Sequence, residues 1–152
     1  MSAMLVVPAG MVGHLRDGLQ AELGSAGADI EQVTAKAGRE RRPESYREPL
    51  ERLDGARALL DVIGWSATDP PVEVQVDLRE HRRALTTAFE VALLVAAQDL
   101  EEADAVDAER AKRGEAPKRD ATAVCALVLR QFVSAVEAQI GRLGASAEEG
   151  VA

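Results

Sequence analysis

Apolar side chains recur every three or four residues along four long segments of this chain, which is the spacing of an α-helix with one buried face. In the first segment they fall at Val12, Leu15, Leu19, Leu23, Ala26, Ile30, Val33 and Ala37. The pattern predicts a helix over residues 9–37. It stays in phase through Gly24 and Gly27, which favours one bent helix, with two helices divided at Gly24 as the alternative.

Three further segments with the same spacing predict helices over 46–63, 78–112 and 120–143. At the start of the second helix, Ser45 and Glu48 stand at the spacing of a capping box. We therefore expect the Ser45 side chain to cap that helix.

The third helix has the strongest pattern of the four. Asp77 and Glu80 have N-cap and N3 spacing and open it. The segment Val91–Ala97 is apolar on every side, which predicts burial against several neighbours. Beyond Asp99 only one face stays apolar, so we expect the polar C-terminal third to project past its neighbours or to pack on another subunit.

The fourth helix shows an apolar stripe that includes the only cysteine. Its members are Ala121, Val124, Cys125, Val128, Phe132, Val136, Ile140 and Leu143. We expect Cys125 to be buried as a small hydrophobic residue. Asp120 is predicted to cap this helix, Gly144 to end it, and residues 145–152 to form a flexible tail.

Residues 4–7 and 72–76 are the segments that favour β-structure. Val72, Val74 and Val76 alternate with polar residues, which is the period of a half-buried strand. We expect the two segments to pair as a short ribbon, which needs cover from helices because two strands alone are marginally stable.

Four helices with short connections predict an all-α fold, a four-helix bundle with largely antiparallel neighbours, in a single domain over 1–144. Aromatic residues make up only 3% of the chain, so the core of this bundle must be aliphatic.

The charge balance disfavours nucleic acid as a partner. The chain has 18 Lys and Arg against 26 Asp and Glu, for a net charge of -8, and such a chain repels a phosphate backbone. Its longest apolar run, Val91–Ala97, is far shorter than the roughly 20 residues that cross a bilayer, so no membrane contact is predicted. We expect a cytoplasmic protein whose single cysteine forms no internal disulfide.

Few residues offer site chemistry. Asp77 and His81 stand four apart on one helical face, and His14 lies beside the inner face of the first helix, so these three are the candidate metal ligands. The alternative is a capping role for Asp77 and a solvated first turn that includes His81. Nucleophile, P-loop and calcium-loop motifs are absent from the sequence, so no catalytic residue, cofactor-binding residue or cofactor is predicted.

An acidic segment and a pair of glycines are further candidate sites. The carboxylates of the Asp99–Glu102 segment belong to an acidic series that we expect to be a solvated helix face. Gly10 and Gly13 lie near the start of the first helix, where phosphate binding is a minor hypothesis beside close packing.

The sequence favours a non-catalytic helical module that binds a protein partner or a second copy of itself, because it combines surplus apolar helix surface with little site chemistry. The alternative is a bundle that binds a small ligand or a metal in a pocket lined by Leu, Val and one or both histidines. A weaker third hypothesis is an enzyme that uses His14, His81 or the Asp99–Glu102 carboxylates as acid and base.

Overall fold

The computed structural model describes residues 3–36 and 42–149, with side chains as far as Gly144. In chain order its elements are β1 (Met4–Val7), α1 (Ala9–Ala35), α2 (Glu44–Ile63), β2 (Val74–Asp77), α3 (Leu78–Lys112) and α4 (Asp120–Glu149). The fold class predicted from the sequence, an all-α protein of four helices with a short two-stranded ribbon, is confirmed.

The periodicity of the first segment predicts its helix correctly. α1 is one continuous helix through Gly24 and Gly27, so the alternative of two helices is wrong. Its C-cap is Lys36, and the predicted end at Ala37 lies outside the described residues. α3 has the predicted bounds, 78–112.

The start of α2 differs from the prediction. The helix begins at Glu44 after an N-cap at Pro43, and no side chain caps it, so the predicted capping box is wrong. The first turn instead forms by backbone bonds, in which Ser45 N–H donates to Arg42 O at 3.0 Å. Because the helix starts ahead of Ser45, that residue lies inside the first turn and is no longer placed to cap it.

The end of α4 also differs from the prediction. The helix does not stop at Gly144 but continues to Glu149, so residues 145–149, predicted as part of a flexible tail, are helical. Glycine inside a helix costs only about 1 kcal/mol relative to alanine, and the alanines that follow Gly144 favour helix. Residues 150–152 lie outside the described residues.

The predicted ribbon forms. β1 and β2 are antiparallel, with Leu5 opposite Val76. The side chains of Leu5, Val7 and Val76 are buried on one face of the ribbon, and α2 packs against β2, which gives the two strands the cover they need. Val72, predicted as part of the second strand, precedes it and is exposed.

The described residues divide into two compact units, with the boundary between Phe89 and Glu90. The N-terminal unit contains α1, α2, the ribbon and residues 78–89 of α3, and the C-terminal unit contains the rest of α3 and α4. The single domain predicted over 1–144 stays a prediction.

The core of the N-terminal unit is aliphatic, as the composition predicts, with Phe89 as its one buried aromatic side chain among the described residues. The other large side chains that are less than 2% exposed in this unit are Leu15, Leu19, Leu59, Leu60, Leu78, Leu85, Val7 and Val76. α1 and α2 pack along their lengths and contribute half of this set.

α1 and α3 approach each other closely at Gly18. A Cβ atom added to this glycine would overlap the carbonyl oxygen of Ala88 and would lie 2.9 Å from the Ala88 Cα. Real Cβ atoms do not come this close to backbone, so only glycine permits this separation of the two helices. Gly18 is therefore a packing residue, in contrast to Gly24, whose added Cβ would have no neighbour within 4 Å.

In the C-terminal unit, an acidic residue of α3 holds the turn into α4. The Asp107 carboxylate accepts hydrogen bonds from the backbone N–H groups of Lys118 at 2.7 Å and Arg119 at 3.1 Å. Asp104 pairs with Arg119 at 3.0 Å. The sequence predicted Asp120 as the cap, but α4 begins at Asp120 itself and Asp107 of the preceding helix binds the backbone just ahead of it.

We expect Gly18→Ala to lower the free energy of unfolding by about 1–3 kcal/mol, because the new methyl group overlaps backbone and the two helices must move apart. Gly24→Ala on the same helix is the matched control and should raise stability by roughly 0.5–1 kcal/mol, since its methyl group meets open space and alanine favours helix. Urea unfolding followed by circular dichroism measures both. Equal stability of the two variants would contradict the close crossing at Gly18.

Candidate functional site

The candidate metal ligands occupy separate structural roles. The Asp77 carboxylate caps α3, as predicted, and its Oδ1 accepts hydrogen bonds from the N–H groups of Arg79 at 2.9 Å and Glu80 at 3.5 Å. His14 is half-buried on α1. Within the described residues, no group of three or more His, Cys, Asp or Glu side chains is placed to hold a metal ion.

The alternative interpretation of His81 is wrong. Instead of lying in a solvated first turn, its side chain is 5% exposed, and its Nε2 lies 3.8 Å from a Glu80 carboxylate oxygen. The residue stands three positions after buried Leu78 and four before buried Leu85, so helical spacing places it on the inner face of α3.

The Asp99–Glu102 segment lies on the surface, as predicted. The side chains of Asp99, Glu101 and Glu102 are exposed on α3. Two further carboxylates of α3 have structural roles: Asp107 binds the turn into α4, and Asp104 pairs with Arg119. Neither role is evident from the sequence, because both depend on where the next helix begins.

A charged cluster lies between α1 and α2 and was missed in the sequence. Arg52 of α2 donates from Nε to Glu22 at 2.6 Å, from Nη1 to Asp29 at 2.6 Å and from Nη2 to Ser25 at 2.9 Å. The side chains of Arg52 and Glu22 are 16% and 9% exposed. The hydrogen bonds that Arg52 donates to Glu22 and Asp29 raise the pKa of its guanidinium above the ordinary value, so the cation is permanent.

The signal for this cluster was present in α1. Glu22 stands three residues after Leu19 and four before Ala26, so helical spacing places it on the buried face between two core residues. A carboxylate at such a position requires a cationic partner, because an isolated buried charge is strongly destabilising. The sequence alone could not show that the partner is Arg52.

The predicted inner stripe of α4 is wrong in its first half. The side chains of Ala126, Leu129 and Val133 are buried there. Those of Val124 and Val128, predicted to be buried, are 58% and 45% exposed. The first half of α4 is apolar on nearly all sides, so periodicity alone could not identify its inner face.

The α4 outer face is the surface formed by Val124, Leu127 and Val128. These side chains are about half exposed, and their spacing of three and four residues makes them neighbours on the helix. Cys125, predicted to be buried, is exposed and adjoins this surface. Residues 121–129 contain no charged side chain, so the surface is uncharged along two turns of the helix.

The apolar centre of α3 is also less buried than predicted. Ala92 is buried, but Leu94 and Val95 are 60% and 47% exposed. The expectation that Val91–Ala97 is buried on several sides is therefore wrong. Both helices of the C-terminal unit expose large aliphatic side chains.

By length and composition, one helical segment in the described part of the chain could cross a membrane, namely Asp120–Gly144 of α4. In the sequence this segment is not one uninterrupted apolar run, because Arg130 and Glu137 lie within it. Only 22% of its most apolar stretch is buried, so the interior of the protein does not account for its apolar character.

Comparison with known proteins gives no relative: no family model, curated protein or solved structure matches this chain.

We expect Arg52→Met to lower the free energy of unfolding by about 3 kcal/mol, because it leaves the Glu22 carboxylate buried without its cation. Arg57→Met is the control, since Arg57 is exposed on the same helix and its replacement should change stability by less than about 0.5 kcal/mol. Adding Glu22→Met to Arg52→Met should restore part of the loss, because the buried charge is then absent. Denaturant unfolding of the four proteins tests this, and a double variant less stable than Arg52→Met would contradict it.

Proposed function

We propose that this protein is a non-catalytic self-association module and that two copies pack through the α4 outer face. The observation that carries the proposal is the exposure of Val124, Leu127 and Val128 on one surface of one helix. Single exposed aliphatic side chains are normal, but neighbouring ones form a patch that gains free energy when water is removed from it.

The charge of the chain supports a second copy as the occupant. Two molecules that each carry a net charge of -8 repel each other over most of their surface. The α4 outer face lies within the uncharged segment 121–129, so two copies can meet there without opposing charges. A two-fold dimer places one patch against the same patch, and a uniformly apolar surface is complementary to itself.

The charged side chains of α4 favour a protein partner over a membrane. Arg130 and Glu137 are exposed and lie in the middle of the segment that is long enough to cross a bilayer. Charged residues at the centre of a membrane span cost about 2.5–3.5 kcal/mol each on insertion scales. An interface between proteins can leave both side chains in water at its rim.

The proposal includes a cytoplasmic location. An exposed thiol such as that of Cys125 is stable in a reducing compartment and is exposed to oxidation outside one. It adjoins the α4 outer face, so it can also report on association.

We expect the protein to sediment with twice the mass of one chain, and Val128→Glu to shift it to the monomer by raising the dissociation constant at least about tenfold. The variant would bury a carboxylate in an apolar interface and place two like charges opposite each other. Val62→Glu is the matched control, because Val62 is 47% exposed on α2 and Val128 is 45% exposed. It should leave the dimer intact. Analytical ultracentrifugation over a range of protein concentrations measures the three proteins.

A second measurement follows alkylation of the Cys125 thiol. Its rate should fall as the protein concentration rises through the dimerisation range, and Val128→Glu should abolish that dependence. A monomer at every soluble concentration would overturn the proposal. A vesicle-flotation result could also overturn it. If the wild type floats with phosphatidylcholine vesicles and Val128→Glu does not, the α4 outer face binds lipid instead of a second copy.

A further inference from the structure

A cavity of about 260 Å³ lies at the start of α1, within the N-terminal unit. Apolar groups form most of its wall, among them Val12 of α1, Ile63 of α2 and Pro71 of the following loop. Pockets for drug-sized molecules measure roughly 300–1,000 Å³. This cavity therefore suits a smaller molecule with a hydrocarbon portion.

Among the described residues, Arg16 is the one charged residue that lines the cavity. It is 8% exposed, and its Nε donates a hydrogen bond to the carbonyl oxygen of Gly64 at 2.9 Å. Within the described residues, no carboxylate pairs with Arg16 and its Nη groups make no hydrogen bond. Arg52, in contrast, donates hydrogen bonds to two carboxylates and a hydroxyl. Among the described residues no buried side-chain nitrogen lacks a hydrogen-bond partner, so the Arg16 Nη groups are accessible to solvent. A guanidinium that is accessible in an apolar lining and has no carboxylate partner favours an anionic ligand.

The N-terminus of α1 adds uncompensated positive potential to the same cavity. Its N-cap is Pro8, which has no side-chain acceptor, and its first turn contains no acidic residue. The Pro8 carbonyl already accepts the N–H groups of Met11 and Val12. The N–H groups of Ala9 and Gly10 have no acceptor in the described part of the chain, and both residues line the cavity. Such free N–H groups at a helix start bind anions.

Helical geometry places four of the lining residues on one face of α1. Val12 and Gly13 stand three and four residues after Ala9, and Arg16 stands three to four residues further on, so all four share one face of α1. Gly64 begins the loop that forms the opposite wall, and its φ of 93° turns the chain away from α2. The hydrogen bond from Arg16 to its carbonyl ties this loop to α1.

We propose that the cavity binds a small monocarboxylic acid with an apolar substituent. Its carboxylate lies against the Arg16 guanidinium and the first N–H groups of α1, and its hydrocarbon part lies against Val12, Ile63 and Pro71. The single cation of Arg16 matches a ligand with one negative charge. An inorganic dianion is disfavoured, because it has no hydrocarbon group to contact the apolar wall. The net negative charge of the chain repels anions from most of its surface. The described residues that line the cavity include no acidic side chain, so an anion meets less repulsion there.

The experiment uses titration calorimetry of the full chain with benzoate and isovalerate. Benzamide has nearly the shape of benzoate but no charge, so it tests whether the charge is needed. Inorganic phosphate is an anion without a hydrocarbon group, so it tests whether the apolar part is needed. We expect heat of binding from the two carboxylates and none from benzamide or phosphate.

Two variants locate the binding. Arg16→Met keeps the apolar length of the side chain and should raise the dissociation constant of benzoate at least about tenfold, since a charge-assisted hydrogen bond is lost. Gly13→Leu should also abolish binding, because Gly13 lines the cavity and an added Cβ there meets no atom within 4 Å. Gly24→Leu is its matched control on the same helix, also with open space around it, and should bind as the wild type does.

Absence of binding by both carboxylates would overturn the proposal, as would unchanged affinity in both Arg16→Met and Gly13→Leu. Phosphate binding as tight as benzoate binding would show that the apolar wall plays no part, and would overturn the proposal. Benzamide binding as tight as benzoate binding would show the same for the charge, and would also overturn it. None of these results depends on dimerisation, because Val128→Glu should bind benzoate with wild-type affinity.

Discussion

The burial of one face of α1 is the constraint on which the N-terminal unit depends. This helix packs along α2, comes into backbone contact with α3 at Gly18, and binds the turn after α2 through Arg16. The three contacts use one continuous surface, so α1 cannot rotate about its axis without losing all of them. The aliphatic core between α1 and α2 and the cavity at the start of α1 depend on that single orientation.

The buried face of α1 includes two charged residues, and their surroundings differ. Glu22 meets a cation on α2 that also binds Asp29 and Ser25, so its charge is balanced within the protein. Arg16 meets only a backbone carbonyl from one of its nitrogen atoms. The pair of Glu22 with Arg52 fixes the register of α1 on α2. The Arg16 guanidinium has no carboxylate partner among the described residues, so its remaining N–H groups can bind a ligand.

The C-terminal unit shows why an apolar sequence does not always mean a buried one. α4 carries more apolar residues than one helix face can hold, and the first half of the helix buries Ala126 and Leu129 while Val124 and Val128 stay exposed. Its start is bound by Asp107, so the position of the turn determines which residues face inward. The surplus apolar surface is the physical basis of the proposed self-association, and it lies in a different unit from the cavity.

The sequence by itself determined the helices, their approximate bounds and the ribbon, because these depend on periodicity and local signals that neighbouring residues carry. It also identified Asp77 as a cap, for the same reason. Only the tertiary structure decided which face of α4 is buried and that Gly18 is needed for a helix crossing. It also decided that Glu22 has a cationic partner, whereas Arg16 has no carboxylate partner among the described residues. These properties depend on residues distant in sequence, such as Ala88 for Gly18 and Arg52 for Glu22, and no local pattern specifies which distant groups will meet.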